Sequence, residues 1–380
     1  RKVIMNLLFV VNYYYPYVSG VSEYLRLLCE EFAVKGYNVT VLASNHNKLP
    51  AKEIINGVKV VRAPIIGKVS KGTVSTAFIR WAVKMSKEAD IVNLHLPMLE
   101  SGIIASFINK NKLVTTYHCD INLPPGFMNK MIVKIMDWSN NRCLKRSQKI
   151  MVTSIDYAKH SRISGRYIER LVEAPPPIKK YRYVSVERAD NKKIIGFCGR
   201  IVEEKGIDVL IKALPIIQRK SKDTWLYIGG DYENVAGGSI YPALKDYIKE
   251  NKIENIKFLG MIPEEEMQEF YSSLDCFVLP SINSLEAFGM VQVEAMMCKV
   301  PVVSSDLYGV RTVVQKTGMG RVSKQGNHMN LAECILDVLE HKEKYVKQPE
   351  DIAQIYSTEK SCSDYQECFT VLKGKNEKNN

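Results

Sequence analysis

The sequence predicts an α/β protein of two consecutive domains, each built on a parallel sheet. Three observations predict this. The chain has 380 residues, more than one core usually organises. It opens with a strand, a glycine-containing loop and a helix, and the same order restarts near residue 191. Between the two halves stands Pro175-Pro176-Pro177, which neither a helix nor a central strand accommodates. The predicted division is a domain at 1–175, a linker at 176–190, a second domain at 191–350 and a C-terminal segment at 351–380. That last segment reads as a helix folding back across the junction, followed by a polar tail.

In order along the chain, 3–11 is an apolar run of single-strand length, and 12–20 is a loop. Val21, Leu25, Leu28 and Phe32 then fall on one helical face, which Gly36 terminates. Strands follow at 38–43, 91–96 and 113–117, with helical patterns between them. In the second half, strands are predicted at 193–198, 224–228, 256–259, 276–279 and 300–304. Strands alternating with helices imply sheets covered on both faces, whose ligands bind at the carboxyl ends of the strands, here in a cleft between the domains.

Composition narrows the classes. With 46% hydrophobic and 25% charged residues the chain is an ordinary globular one. No run approaches the roughly 20 apolar residues of a membrane span, and 3–11 lacks a signal-peptide cleavage site. The nine cysteines include no Cys-x-x-Cys pair and read as buried thiols of a cytoplasmic protein, without structural zinc. The net charge of +12 is unevenly placed: residues 1–190 carry +15 and the remainder −3. That asymmetry points to an anionic partner for the first half. Two candidate basic amphipathic helices lie there, at 76–87 and 128–149, and suggest an anionic membrane surface. No nucleic-acid module is recognisable, so nucleic acid is not expected as a partner.

Two motifs carry chemistry. Glu286 and Glu294 stand eight residues apart around Phe288-Gly289-Met290. Amides at Phe288, Gly289 and Met290 would form a helix amino terminus suited to phosphate, with glycine allowing close approach. Glu286 would hold sugar hydroxyls and Glu294 those of a ribose. Read as continuous helix, the spacing corresponds to about 12 Å. The second motif, Gly199-Arg200 with Lys205-Gly206, follows the first strand of the second half and would neutralise a diphosphate.

Together these motifs resemble glycosyltransferase family 4, the retaining transferases with the GT-B fold of two Rossmann-like domains. Phe258-Leu259-Gly260, Val278-Leu279-Pro280-Ser281, Pro301-Val302-Val303 and Gly309 extend the likeness through the second half. In the first half, Pro16 to Gly20 resembles the family's glycine-rich first loop, with Ser19 where the family usually has a glycine. His118, after a strand end, resembles the family's active-site histidine, and Ser19, His95 and Asp120 are candidates for the acceptor side.

The resemblance implies a retaining transferase using a UDP- or GDP-linked sugar and a glycan or lipid-linked acceptor. No Asp-x-Asp metal element is present, so neither metal nor cofactor is expected. The implied catalytic set is His118, Arg200, Lys205 and Glu286, with Gly20, Gly199, Phe288, Gly289, Met290 and Glu294 also binding donor. A nucleotide-sugar epimerase of the same fold and a silent nucleotide-sugar binder are the competing readings.

Overall fold

The computed structural model describes residues 5–17, 19–65, 67–69, 72–188, 192–233, 235 and 238–378. It divides into two units, one of residues 1–178 with 357–380, the other of residues 179–356.

Among the described residues, the first unit holds an eight-stranded sheet. Its strands in chain order are β1 (Asn6–Val10), β2 (Asn38–Asn45), β3 (Lys52–Ile55), β4 (Val58–Pro64), β7 (Ile91–Leu96), β8 (Leu113–Tyr117), β9 (Lys149–Val152) and β10 (Leu171–Glu173). A separate hairpin supplies β5 (Gly67–Val69) and β6 (Gly72–Val74). The sheet order is β10-β9-β8-β7-β1-β2-β4-β3, parallel except where β3 runs against β4. Strand β1 is buried on both faces. Leu7 and Phe9 enter one core with Leu25, Leu28 and Phe32 of the helix Gly20–Val34. Leu8 and Val10 enter the other, with Phe78 and Ala82 of the helix Thr76–Ser86. A two-sided core explains why these strands read as continuous apolar runs.

The C-terminal helix Thr358–Lys378 belongs to this first unit. Its Phe369 stacks on Phe32 with ring centroids 5.9 Å apart, and Tyr365 and Leu372 are buried in the same core. Residues 351–355, expected with this segment, belong instead to a separate helix, Pro349–Ile355, of the second unit. Residues 179–188 are likewise not a free linker. Tyr181 donates to Glu264 (2.6 Å) and Arg188 pairs with Asp275 (2.6 Å), fastening the segment to the second unit.

Among its described residues, that second unit has six parallel strands: β11 (Lys193–Cys198), β12 (Thr224–Gly229), β13 (Ile256–Gly260), β14 (Cys276–Leu279), β15 (Val302–Ser305) and β16 (Gly320–Ser323). Their order is β13-β12-β11-β14-β15-β16. Both sheets are doubly wound. The strand order reverses between β1 and β7 in the first unit, and between β11 and β14 in the second. Open sheets of this kind bind ligands outside the carboxyl ends of the strands at such a reversal. Among the described residues no helix is long and apolar enough to cross a membrane.

Candidate functional site

The reversal point of the second unit gathers most of the predicted residues. Strand β11 ends at Cys198 and delivers Gly199 and Arg200; β14 ends at Leu279 and leads to Glu286. A short 3-10 turn, Glu203–Lys205, closes on Gly206, whose φ is +65°. A Cβ at Gly206 would overlap the Pro280 carbonyl, so the two loops approach closely only with glycine here. This approach brings the Lys205 ammonium against the Glu286 carboxylate as a direct, half-buried ion pair. One ammonium occupies only part of a carboxylate's acceptor capacity, so Glu286 retains sites for hydroxyl donors. Arg200 is exposed and pairs with Glu204 at 3.0 Å.

Gly289 caps the helix Met290–Met297 at φ +80°. That conformation suits glycine, and a Cβ would run into Leu279 and Gln292. The first amides of a helix have no acceptors within it, the general feature that suits such an end to anions. Phe288 does not reach outward. Its ring is buried and packs edge-on against Tyr356, with centroids 5.5 Å apart.

The eight-residue spacing is corrected here. Because Gly289 stands in the left-handed region, the helix begins only at Met290, and Glu286 lies in the preceding loop. The rise of about 12 Å for eight helical residues does not apply. Glu294 is buried and accepts a hydrogen bond from Tyr271 (2.8 Å). Burial, with Glu294 beside it, pushes the Tyr271 phenol well up, so it remains a donor. Tyr271 carries no local sequence signal; only the packing of the helix Met267–Ser272 brings it in. Burial also pushes the Cys198 thiol up to about 12, keeping it protonated.

The first unit brings two of the predicted histidines together beside its own reversal point. His95 lies in β7 and His118 just beyond β8, and their rings meet at 2.9 Å, His95 Nδ1 to His118 Nε2. Both are buried. Burial lowers the His118 pKa to about 4; burial and then His118 hold His95 well below its usual value. The pair is therefore neutral at neutral pH. His95 Nε2 is buried without a hydrogen-bond partner among the described residues. A buried bare ring nitrogen is less costly to leave unpaired than a buried N–H, which puts the His95 proton on Nδ1. The favoured arrangement has His95 Nδ1–H donating, which leaves the proton of His118 on Nδ1.

Ser19 has a structural duty, and Gly20 begins the helix that it caps. Ser19 caps the helix Gly20–Val34, accepting from Ser22 N at 3.2 Å while Ser22 Oγ accepts from Ser19 N at 2.8 Å. Gly20 has open space where a Cβ would stand. Asp120, expected on the acceptor side, is instead consumed internally. It accepts from the Tyr117 hydroxyl (2.6 Å), the Ser161 hydroxyl (2.7 Å) and the Arg162 amide (3.0 Å). A carboxylate with these partners organises the loop after β8 and presents little to a ligand.

Glu100 was not singled out by its sequence. It is 3% exposed, follows β7, and accepts from Asn12 in the loop after β1 (3.3 Å). Burial raises its pKa, and nothing in the local pattern announces it.

Comparison with known proteins agrees with this architecture. A family model described as Glycosyltransferase Family 4 matches residues 18–170, and one described as Glycosyl transferases group 1 matches 183–354. A phosphatidyl-myo-inositol mannosyltransferase of Mycobacterium leprae is 26% identical, with 90% of each chain covered. A D-rhamnosyltransferase of Pseudomonas aeruginosa is 24% identical, over 78% of this chain and 77% of its own. Among solved structures, the sucrose-phosphate synthase of Thermosynechococcus elongatus superposes with a TM-score of 0.74 at 18% identity, covering 97% and 99% of the two chains. Anabaena HepE, solved with UDP and glucose, gives 0.70 at 17% identity, covering 96% and 99%. At such identities these structures speak for the fold. Two family models that together span most of the chain, on two doubly wound sheets, place this protein in glycosyltransferase family 4, with the GT-B fold.

Proposed function

We propose that the chain is a retaining, metal-independent transferase that moves a sugar from a UDP- or GDP-linked donor to a glycan or lipid-linked acceptor. The observation that carries this is the meeting of Lys205 with Glu286 beside the glycine-capped helix start at Gly289. On this reading the diphosphate lies against the amides of the helix Met290–Met297, and Arg200 and Lys205 supply its counter-charge in place of a cation. Glu286 accepts hydrogen bonds from the transferred sugar, and Glu294, braced by Tyr271, from the ribose. Neutral His118, with its proton on Nδ1, serves as a hydrogen-bond donor to the sugar and not as a charged group.

The bond from the anomeric carbon to the leaving phosphate breaks, and the acceptor oxygen bonds to that carbon on the same face. The acceptor's proton passes to a phosphate oxygen. The protein's part is positioning and stabilisation of the negative charge on the leaving group. The name of the mycobacterial relative supports a lipid-borne acceptor, and the basic first half supports work at the cytoplasmic face of an anionic membrane.

The test is transfer from a panel of UDP- and GDP-sugars in EDTA, with the anomeric configuration of the product read by NMR. Activity in EDTA and a retained anomer are expected. Inversion, or activity restored only by magnesium or manganese, overturns the corresponding part. Glu286→Ala should abolish transfer while the nucleoside diphosphate still raises the thermal midpoint. Undiminished transfer by that variant would remove Glu286 from the donor sugar.

A further inference from the structure

We propose that the long helix Phe127–Arg146 is a membrane-docking element, which seats an apolar stripe among the lipids of an anionic bilayer while cations beside it take the head groups. The stripe is Phe127, Met131, Ile135 and Trp138. All four are exposed, Phe127 to 80% and Trp138 to 60%. At 100° per residue they fall within about 80° of the helix circumference. The helix is held to the unit by its other side, through buried Ser139, Asn140, Cys143 and Leu144. The apolar stripe thus points directly away from the core. Soluble helices of globular proteins place such a stripe inward.

The surroundings of the stripe select its occupant. Lys130, Lys134, Arg142 and Lys145 are exposed on this same helix. The Arg142 guanidinium lies 5.9 Å from the Trp138 ring centroid and donates to Ser106 (2.8 Å) on the neighbouring helix Ser101–Phe107. That helix adds exposed Ile103 and Phe107. Beyond Trp138 the surface opens into a concavity lined by Lys110, Arg142, Lys145, Arg146 and Arg170, with no carboxylate among the described residues that line it. An apolar protein partner would need no cluster of five cations, and a free polyanion would need no row of exposed Phe, Met, Ile and Trp. A bilayer with acidic head groups meets both demands at one depth. No helix among the described residues could span the membrane, so the chain would lie on it.

The inference rests on the membrane part of the proposed function and gives it a surface. The experiment is co-sedimentation of the full chain with vesicles of phosphatidylcholine, with or without phosphatidylglycerol, in the absence of donor and acceptor. The wild type is expected to bind the vesicles containing phosphatidylglycerol and to leave the neutral ones. The triple variant Phe127→Ser/Met131→Ser/Ile135→Ser keeps the charge and should lose about tenfold or more in partition. Lys130→Glu/Lys134→Glu should lose about fivefold per unit of charge. Trp138 emission should shift to the blue on vesicle binding, a change absent in Trp138→Phe. Because all these residues are exposed, the variants should unfold at the wild-type temperature.

No binding to acidic vesicles, equal binding to neutral ones, or an unaffected serine variant overturns the proposal. So does a wild-type dimer that the serine variant converts to monomer, since a second copy would then cover the stripe. Nucleotide binding and transfer to a soluble acceptor, measured on the same variants, separate failure of this surface from failure of the transferase reading.

Discussion

The two reversal points of the molecule are built from opposite materials. In the second unit the candidate residues are charged and partly accessible: Arg200, Lys205 and Glu286. In the first they are buried and neutral: His95 and His118 facing each other, with Asp120 absorbed by three donors nearby. The same kind of strand-order reversal therefore carries two different sets of groups. On the proposed function, one loop cluster would handle the charge of a leaving group. The other holds a buried, neutral histidine pair, which on the proposed function would face the sugar. The contrast shows that the loops after a sheet reversal can dress it with accessible charges or with buried neutral groups.

The sharpest way to break this contrast is Lys205→Ala. With the counter-charge gone, transfer should fall about 10²- to 10³-fold, as when a single preorganised donor is removed from an oxyanion site. A fall in kcat/KM below tenfold would mean that the charge is handled elsewhere. Gly289→Ala comes next. The left-handed conformation and the overlap with Leu279 and Gln292 should destabilise the protein by about 1–3 kcal/mol and weaken binding of the nucleoside diphosphate. Calorimetry on this variant, with binding unchanged, would remove the helix start from the phosphate site.

The buried histidines give a pH signature. The folded His118 takes up its proton near pH 4, whereas an unperturbed histidine does so near 6.5. Between those values the unfolded chain binds more protons, so stability rises with pH across this window and is fully present above it. Denaturant midpoints measured across the window should climb with pH, and His118→Gln should flatten the climb. The smallest effect belongs to Ser19. Loss of its cap in Ser19→Ala should reduce stability by about 1 kcal/mol with transfer nearly intact. A large loss of transfer would return Ser19 to the site.

Two helices show where sequence reading stopped. The segments 76–87 and 128–149 look alike as strings, each mixing lysine and arginine with bulky apolar residues. The structure separates them. In Thr76–Ser86, Phe78 and Ala82 are buried, and Ile79 and Trp81 pack against the same core. In Phe127–Arg146, small and polar Ser139 and Asn140 face inward, and the large residues face out. Ser139 can do so because Gly102 of the neighbouring helix leaves no room for more, its amide donating to Ser139 Oγ at 2.9 Å. Periodicity fixes which residues share a face and is silent on which face turns inward. Strands β9 and β10 escaped notice for a related reason: each is very short, and β9 begins inside what reads as a basic helix.

The sequence by itself determined the alternation of strand and helix in both halves, the glycine punctuation at 206 and 289, and the charged pair of motifs that a phosphate-bearing donor requires. These are local properties, written in runs and spacings of a few residues. Only the tertiary structure decided that the last helix completes the first core, that Asp120 is spent on its own loop, and that His95 and His118 share one hydrogen bond. It alone showed that Glu294 leans on Tyr271. Each of these depends on groups far apart in the chain being brought together and dried, as with Tyr365 and Thr116, whose hydroxyls meet at 2.8 Å. Burial sets which polar groups must find partners, and burial is a property of the packed whole.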